Sequence, residues 1–390
     1  MTNLGLREAQ NASALIDKAQ RIVIKIGSAL LFNPDQGGLQ TSWLAGLAQD
    51  VAQLHKAGKQ VILVSSGAIA LGRDEMGIAK GRIRLDEKQA AAATGQIILA
   101  QAWNDSLKAH EITSSQILLA PDDTETRRKH LNARSTMQTL LNYGCVPVVN
   151  ENDTITTYEI RFGDNDRLAA RVAAMMSADL LILLSDIDGL YDKNPRRYDH
   201  ANHVPVVSAI TDDILAMGDS ANAEFASGGM ATKLAAARMA TSAGVAMMIC
   251  DGRTNRPLHA LSQGAKSTIF TAMIAPSTAR KNWIASTLDA SGTVTIDDGA
   301  AIALSKGRSL LPAGVTDVRG HFERGDVIAI CDKKGTIIAH GLSGYSDKEA
   351  RLLKGQKSDQ FDAIIGYDGR AELVHADDLV RLTKTESNKG

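Results

Sequence analysis

Six short runs of apolar, often β-branched residues recur between residues 22 and 250 and alternate with longer segments of helical character. The runs are IVIKIG (22–27), VILVSS (61–66), QILLA (116–120), VPVVN (146–150), LLILLS (180–185) and VAMMIC (245–250). Such alternation predicts an α/β fold, an open and mainly parallel sheet sandwiched by helices. Because the runs are almost continuously apolar, we expect both faces of the sheet to be buried.

The same pattern predicts a helix and a ligand-binding edge. Apolar residues recur at helical spacing from Leu44 to Leu54, and Gly58 follows as a stop signal. In open sheets of this kind, ligands bind beyond the carboxyl ends of the strands. The residues directly after each run are therefore the first candidates for a functional site.

A second domain is expected after residue 274, because a segment that carries Pro276 and ends near Gly292 interrupts the alternation. Short strand-like runs follow, at TVTI (293–296), DVIAIC (326–331), TIIAHG (336–341), DAIIG (362–366) and AELVH (371–375). Gly and Asp turns between them favour a small β-rich domain. We predict an α/β domain over 1–274, a linker over 275–289, the β-rich domain over 290–381 and a polar tail over 382–390.

Composition restricts the compartment and the partners. The 43 basic and 44 acidic residues give a net charge of −1, so nothing global attracts nucleic acid or anionic lipid. Cys145, Cys250 and Cys331 are far apart and fit neither a disulfide framework nor a zinc site. The N-terminal segment lacks the apolar stretch of a signal peptide, and the densest apolar run, 178–184, is too short to span a bilayer. We expect a cytoplasmic protein with no membrane contact.

Lys25 lies within the first apolar run, where an unpaired ammonium group would be costly to bury. At the carboxyl end of this strand, beside Gly27 and Ser28, the ammonium group could meet a phosphate held by backbone N–H groups. The alternative is a lysine that reaches solvent from an edge strand.

The second run ends in the small-residue turn Ser65-Ser66-Gly67-Ala68, before a helical segment. Small residues let a ligand approach the backbone and its N–H donors. The alternative is a serine that caps the helix.

Carboxylates and amides cluster around the fourth run, as NEND (150–153) and GDND (163–166). These groups can bind both charged ends of an amino acid, or position lysines and Mg²⁺. Asx-rich segments are also common in turns and at helix N-caps, which is the alternative.

A glycine pair in SGGMATK (227–233) precedes another helical segment. Glycines before a helix N-terminus form an anion-binding site, to which Lys233 adds a charge. The sequence contains neither a Walker A motif nor G-x-G-x-x-G after the first strand. A flexible glycine hinge explains this segment equally well.

Two lysines, several glycine turns and a set of Asp and Asn residues thus recur at the predicted ligand edge. This combination suits phosphoryl transfer, because its transition state spreads negative charge over the phosphoryl oxygens. A carboxylate acceptor is already ionised at neutral pH and needs no general base. The lack of an obvious catalytic histidine or cysteine is therefore no objection.

The motifs IKIGSALL, VSSGAIA, NENDTIT, GDNDRLAA, SDIDGLY and SGGMATK, in this order, closely resemble those of the amino acid kinase family. The resemblance covers essentially the whole chain, since the β-rich region looks like the PUA domain of bacterial members that act on L-glutamate. It implies the amino acid kinase fold and ATP-dependent phosphorylation of the γ-carboxylate of L-glutamate. The product would be L-glutamyl 5-phosphate, formed in the first step of proline biosynthesis.

The resemblance also implies a role for each motif. Lys25 and Lys233 would neutralise the migrating phosphoryl group, and Asp166 would orient both lysines. The glutamate contacts would be Ser66, Asp153 and Asn165. The ATP contacts would be Lys25, Ser185, Asp186, Ser227, Gly228, Gly229, Met230, Ala231, Thr232 and Lys233. Many relatives carry threonine at position 185 and serine at 231, so at Ala231 only backbone donors are available.

Cofactors and partners follow from the same resemblance. Mg·ATP would be the cosubstrate, and proline would act as a feedback inhibitor. A homo-oligomer is expected. The labile acyl phosphate would be handed over to a glutamyl-phosphate reductase.

Two alternatives compete with this interpretation. The nearer one is an acyl phosphate kinase of the same fold that acts on aspartate or N-acetylglutamate. An ammonium anchor at Asp153 disfavours the acetylated substrate. Glutamate and aspartate differ by one methylene, which contributes only about 1–3 kcal/mol of discrimination, so aspartate stays open.

The other alternative is RNA binding, because PUA-like domains occur in RNA-modifying enzymes. Residues 291–380 contain 11 Lys or Arg and 14 Asp or Glu, a net charge of −3, which disfavours a phosphate-backbone binder.

Overall fold

The computed structural model describes residues 12–33, 38–79, 81, 83–155, 165–218, 229–272, 274, 278, 290–367 and 369–382. The chain divides into two compact units. The first comprises Met1–Glu125 and Asn132–Pro276, and the second comprises Thr126–Leu131 and Ser277–Gly390. The predicted linker over 275–289 and the tail over 382–390 lie almost entirely outside the described residues, so these limits stay predictions.

The first unit contains an eight-stranded sheet. Its strands are β1 (Arg21–Ile26), β2 (Gln60–Ser65), β3 (Ser114–Leu119), β4 (Val146–Glu151), β5 (Leu180–Ser185), β6 (Val206–Val207), β7 (Ala246–Asp251) and β8 (Ser267–Phe270). Their order across the sheet is β6-β8-β7-β5-β1-β2-β4-β3. The six predicted runs form β1 to β5 and β7, and all pair in parallel, whereas β8 is antiparallel to β7. The prediction of an open, mainly parallel sheet is confirmed.

Helices connect and cover these strands. The longer ones are α1 (Thr41–Lys56), α2 (Ala68–Glu75), α3 (Leu85–Lys108), α4 (Arg127–Asn142), α5 (Asn165–Met175), α6 (Met230–Ser242) and α7 (Pro257–Ser262). Shorter elements are helical turns at Ser28–Leu31, Pro121–Glu125 and Asp212–Ala216, a helix over 12–18, and the paired strands Phe32–Asn33 with Gly38–Leu39 and Leu190–Tyr191 with His203–Val204. Helix α1 contains the predicted apolar stretch and ends before Gly58, whose φ of 77° only glycine adopts readily.

Alternating side chains of the central strands enter two separate hydrophobic cores. In β1, Ile22, Ile24 and Ile26 pack in one core with residues of α1 and α3, whereas Val23 packs in the other with residues of α5 and α6. Both faces of the sheet are therefore buried at its centre, as predicted. Strand β3 differs, since Gln116 and Leu118 are exposed, because it lies at the sheet edge.

The second unit has its own five-stranded sheet in the order β10-β9-β11-β12-β13. Its elements are β9 (Gly292–Ile296), α8 (Asp298–Ser305), β10 (Val315–Gly320), β11 (Val327–Cys331), β12 (Ile337–Leu342), α9 (Asp347–Leu353), α10 (Phe361–Ile365) and β13 (Leu379–Arg381), with short 3₁₀ turns at Pro312–Gly314, Ser358–Gln360 and Ala376–Asp378. A small β-rich domain is thus confirmed.

Two of the strand-like runs in this unit were wrongly predicted. DAIIG (362–366) lies largely in α10, which ends at Gly366 with a left-handed φ of 79°. AELVH (371–375) contributes only an isolated bridge between Val374 and Leu310. Periodicity cannot separate strand from helix in so short an apolar run, and the glycine at its end is a helix stop as well as a turn signal.

Within the described ranges, no helix combines the length and the apolar character that crossing a membrane requires. Cys145, Cys250 and Cys331 are all free thiols.

Candidate active site

Asp166 lies at the centre of the candidate site, where it pairs with two lysines that are remote in the chain. Lys25 Nζ is 2.7 Å from Asp166 Oδ1, and Lys233 Nζ is 3.0 Å from Asp166 Oδ2. All three side chains are more than nine-tenths buried. Lys25 belongs to β1, which lies between β5 and β2, so the alternative of a lysine on an edge strand is wrong.

The pairing sets the charge of Asp166. Burial acts to raise the pKa of this carboxyl group, but the charges and hydrogen bonds of Lys25 and Lys233 hold it below its usual range. The carboxylate therefore stays ionised and fixes both ammonium groups. The three groups together carry one positive charge in a place largely shielded from water, where an anion is attracted strongly.

Helix α6 brings Lys233 to this point. Gly229 is its N-cap, and the Thr232 hydroxyl lies 2.8 Å from the Gly229 carbonyl oxygen and 3.1 Å from Asp166 Oδ2. The first turn is thereby tied to Asp166, and its N–H groups are of the kind that bind anions. Among the predicted ATP contacts, Gly229, Met230, Ala231 and Thr232 lie at this helix start but do not line the cavity, and Ser227 and Gly228 lie outside the described residues.

The side-chain amide of Asn165 connects the ends of β2 and β4. Its Nδ2 lies 2.7 Å from Ser66 Oγ and 3.1 Å from Asn150 Oδ1. These acceptors fix the orientation of the amide and leave Asn165 Oδ1 buried without a partner among the described residues. A buried acceptor of this kind is available to an N–H donor of a ligand.

The serines after β2 do not cap α2, so that alternative is wrong. The N-cap is Gly67, whose φ of 110° lies in the left-handed region that glycine adopts readily. Ser65 Oγ accepts a hydrogen bond from Trp103 Nε1 at 2.9 Å. Ser66 Oγ accepts from Asn165 and lines the cavity, so Ser65 supports the turn while Ser66 can contact a ligand.

Two carboxyl groups lie close together at the end of β4, that of Glu151, its last residue, and that of Asp153 just beyond it. Both residues line the cavity and are more than nine-tenths buried. Burial, and secondly the negative charge of Glu151, raise the pKa of Asp153 to about 7. A bound ammonium group would relieve this repulsion and favour the ionised form of Asp153.

A cavity of about 630 Å³ joins these groups. Of the residues predicted from the sequence, its lining includes Lys25, Ser66, Asp153, Asn165, Ser185, Asp186 and Lys233, and Asp166 lies behind the two lysines. Strands β2 and β4 lie on one side of β1, and β5 lies on the other. The cavity therefore has two regions that meet at Lys25, one beside Ser66 and Asp153 and one beside Ser185 and Asp186.

The second region contains an ion pair. Asp186 Oδ2 is 2.7 Å from Arg196 Nη2, and Ser185 Oγ lies 3.3 Å from Asp186 Oδ1. Burial acts to raise the pKa of Asp186, but its hydrogen bond and charge interaction with Arg196 hold it below the usual range. Arg196 thus adjoins this region, although no sequence motif marks it.

Three further side chains belong to the site and were missed from the sequence. Arg73 in α2 and Lys88 in α3 line the cavity. Gln96, also in α3, accepts a hydrogen bond from Asn150 Nδ2 at 2.7 Å. All three lie inside helices, so a search of strand ends does not find them. The one available signal was Lys88, a cation near a helix N-terminus, where the helix dipole disfavours it.

Across the described part of the chain, no group of three or more His, Cys, Asp or Glu side chains is arranged to hold a metal ion. The described cavity carboxylates are those of Glu151, Asp153 and Asp186.

Comparisons with known proteins cover both units. Residues 20–251 match the amino acid kinase family, and residues 292–365 match the PUA domain. The chain is 52% identical over 376 residues to a glutamate 5-kinase of Rhizobium rhizogenes, covering 96% of each chain. It is 51% identical to one of Bradyrhizobium diazoefficiens, covering 95% of this chain and 99% of the relative. It is 53% identical to one of Gluconobacter oxydans, covering 93% and 96%.

Proposed function

The chain belongs to the amino acid kinase family, and we propose that it transfers the γ-phosphoryl group of ATP to the γ-carboxylate of L-glutamate. The products are ADP and L-glutamyl 5-phosphate, and the reaction is the first step of proline biosynthesis. Glutamate 5-kinases at 51–53% identity over nearly the whole chain support this function. The observation that carries it is the pair of buried ammonium groups held on Asp166 at the cavity.

The reaction needs charge stabilisation more than proton transfer. An oxygen of the γ-carboxylate attacks the γ-phosphorus, and the bond to the bridging oxygen breaks as ADP leaves with its electron pair. Lys25 and Lys233 stabilise the negative charge on the phosphoryl oxygens in the transition state, and Asp166 keeps both lysines in place. The attacking carboxylate is ionised at neutral pH, so no general base is required.

Glutamate occupies the region beside β2 and β4. We assign its α-ammonium group to Asp153 and to the free acceptor Asn165 Oδ1. Ser66, held by Asn165, contacts the substrate as well. The raised pKa of Asp153 and the buried oxygen of Asn165, which has no partner among the described residues, support this assignment.

ATP occupies the region beside β5 and the N-terminus of α6. Ser185 and Asp186 contact the nucleotide, and Lys25 and Lys233 reach its terminal phosphate. Backbone N–H groups of the segment from Ser227 to Lys233 bind the phosphates, through Gly228, Gly229, Met230, Ala231 and Thr232. A helix N-terminus that begins at a glycine supports this part of the proposal.

Mg²⁺ enters as its complex with ATP. This ion keeps several waters and binds substrate phosphates together with one or two carboxylates. Asp186 is the described cavity carboxylate on the nucleotide side, so it is the residue that fits this role. The ion would neutralise part of the phosphate charge when bound.

Further proposals rest on the family alone. They are a homo-oligomeric assembly, feedback inhibition by proline and hand-over of the labile acyl phosphate to a glutamyl-phosphate reductase. A cytoplasmic location is proposed as well, and the three free thiols suit a reducing compartment. RNA binding by the second unit is not favoured, because residues 291–380 carry a net charge of −3.

Trapping of the acyl phosphate tests the function directly. Purified protein is incubated with Mg·ATP, hydroxylamine and either L-glutamate, L-aspartate or N-acetyl-L-glutamate, and the hydroxamate and ADP are measured. We expect both products with L-glutamate at far higher kcat/KM than with the other two. A preference for aspartate or N-acetylglutamate would reassign the substrate, and ADP without hydroxamate from any of them would refute an acyl phosphate product.

A further inference from the structure

Four cationic side chains line the described part of the cavity, and two of them, Arg73 and Lys88, have no role in the reaction as proposed. Lys25 and Lys233 are held on Asp166. The guanidinium group of Arg73 donates to the carbonyl oxygen of Ala79 and so ties α2 to the segment that leads into α3. The fourth cation of the lining is Lys88.

Lys88 lines the cavity from the first turn of α3. It follows the first residue of α3, Leu85, by three positions and is half-buried. The same helix carries Gln96, which accepts a hydrogen bond from Asn150 at the end of β4. Helix α3 therefore contacts the end of β4, the strand that Asp153 follows, whereas β5 lies on the other side of β1.

The charges of the substrate require such a cation. Under the proposed function, Lys25 and Lys233 face the γ-carboxylate, and Asp153 and Asn165 bind the α-ammonium group. The α-carboxylate is the third charged group, and inside a largely buried cavity it needs a positive partner. The N-terminal turn of α3 adds its own partial positive charge.

We propose that Lys88 binds the α-carboxylate of the amino-acid substrate and thereby makes the enzyme select an amino acid over analogues that lack this group. The inference rests on the proposed function, because it assigns one more group of the same substrate. A lysine ammonium group and a helix N-terminus act together on the carboxylate, as both attract an anion.

The structure provides a matched control in the same turn. Arg84 immediately precedes α3, its backbone N–H donates to Glu87 Oε2 at 2.7 Å, and its guanidinium group pairs with Asp86. Its side chain is 78% exposed and does not line the cavity. Arg84→Met thus removes a nearby cation without touching the proposed site.

The test compares L-glutamate with L-isoglutamine, in which a neutral amide replaces the α-carboxylate while the γ-carboxylate is unchanged. Values of kcat/KM are measured for the wild type, Lys88→Met, Lys88→Arg and Arg84→Met. We expect the wild type to prefer glutamate by roughly 10- to 100-fold, the range for a hydrogen bond between charged groups. Lys88→Met should lose most of this preference, because kcat/KM falls for glutamate but not for isoglutamine, and the KM for ATP should be unchanged. Lys88→Arg should retain part of it, and Arg84→Met all of it.

Each other outcome contradicts the inference in a recognisable way. A wild-type preference that survives in Lys88→Met overturns it, and so does an equal loss with both substrates, which would indicate a structural role. Lys88→Gln gives the same readout if the methionine variant aggregates. Wild-type inactivity with glutamate would instead refute the proposed function, and the inference would fall with it.

Discussion

At the scale of single residues, the site depends on charges that could not be buried alone. Asp166 is ionised because two lysines offset its burial, and each lysine is buried because Asp166 is there. Lys25 was recognisable in the sequence, since a lysine inside an apolar run demands a partner. Asp166 and Lys233 were candidates from their motifs, but their pairing with Lys25 was expected only from family resemblance. Lys88 and Arg196 were missed, because a charged residue on a helix or in a loop is ordinary.

Replacing Lys233 by methionine should remove catalysis while leaving the fold intact. Lys25 still pairs with Asp166 in this variant, and methionine preserves most of the volume. We expect kcat to fall roughly 10²- to 10³-fold, as for other losses of one transition-state donor, with a small change in the KM for glutamate. Steady-state kinetics and circular dichroism check this. Lys333→Met, which removes an exposed partner of Asp298, is the control and should behave as wild type. Near-normal turnover of Lys233→Met would refute its catalytic role.

Glutamate binding should weaken in acid because of Asp153. The pKa of its carboxyl group is raised to about 7 in the free protein, and a bound ammonium group lowers it. Binding therefore requires loss of a proton below pH 7, so the KM for glutamate should rise by up to tenfold per pH unit as the pH falls from 7. The KM for ATP should change little over this range.

Asp153→Asn provides the control for this pH dependence. Its KM for glutamate should be high and nearly independent of pH between 5.5 and about 7.5, since asparagine does not titrate there. The same dependence on pH in wild type and variant would show that another group is responsible.

At the scale of elements, the strands that are buried on both faces were the ones predicted best from the sequence. The central strands are covered on both faces, so their sequences are continuously apolar and were identified to within one or two residues. Strands β6 and β8 were missed because they are short, and the second unit mixes helices and strands of three to eight residues in which the two periodicities cannot be told apart. The contact between α2 and α3 left no periodic pattern, because glycines form it.

Gly95→Ala should destabilise the protein although it lies inside a helix. Replacing glycine by alanine in a solvent-exposed helix stabilises the helix by about 1 kcal/mol. Here a Cβ atom would lie 1.8 Å from the Ala68 carbonyl oxygen and 2.4 Å from the Gly72 nitrogen, which are backbone atoms of α2. We expect a net loss of roughly 1–3 kcal/mol in the free energy of unfolding, measured by urea titration.

The same variant should raise the KM for glutamate, because α2 begins directly after Ser66 and Gly67 and must move to relieve the overlap. Ala93→Gly, on the exposed face of α3, serves as control. It should cost about 1 kcal/mol through helix propensity and leave the KM unchanged. Increased stability of Gly95→Ala would contradict the close packing of the two helices.

At the scale of the whole molecule, the chain consists of two units with separate hydrophobic cores. Every described residue that lines the cavity belongs to the first unit. The second unit has its own core, in which Tyr345 and Phe361 pack edge to face with ring centroids 6.1 Å apart. Its presence as a separate β-rich domain was predictable, because the turn-rich sequence differs so clearly from the alternating pattern before it.

Ligand binding should therefore stabilise one unit selectively. We expect calorimetry to resolve two unfolding transitions. A non-hydrolysable Mg·ATP analogue together with glutamate should raise the midpoint temperature of only one of them. At ligand concentrations near 100 Kd, linkage predicts a stabilisation of about 2.7 kcal/mol for the unit that contains the cavity. Gly95→Ala should lower the midpoint of this same transition. Phe361→Ala removes a buried ring from the other core. It should lower the free energy of unfolding of the second unit by roughly 3–5 kcal/mol and leave the ligand-induced shift of the first unit unchanged. A single transition that responds to both variants would mean that the two cores unfold as one cooperative structure, and that the cavity draws its stability from the entire chain.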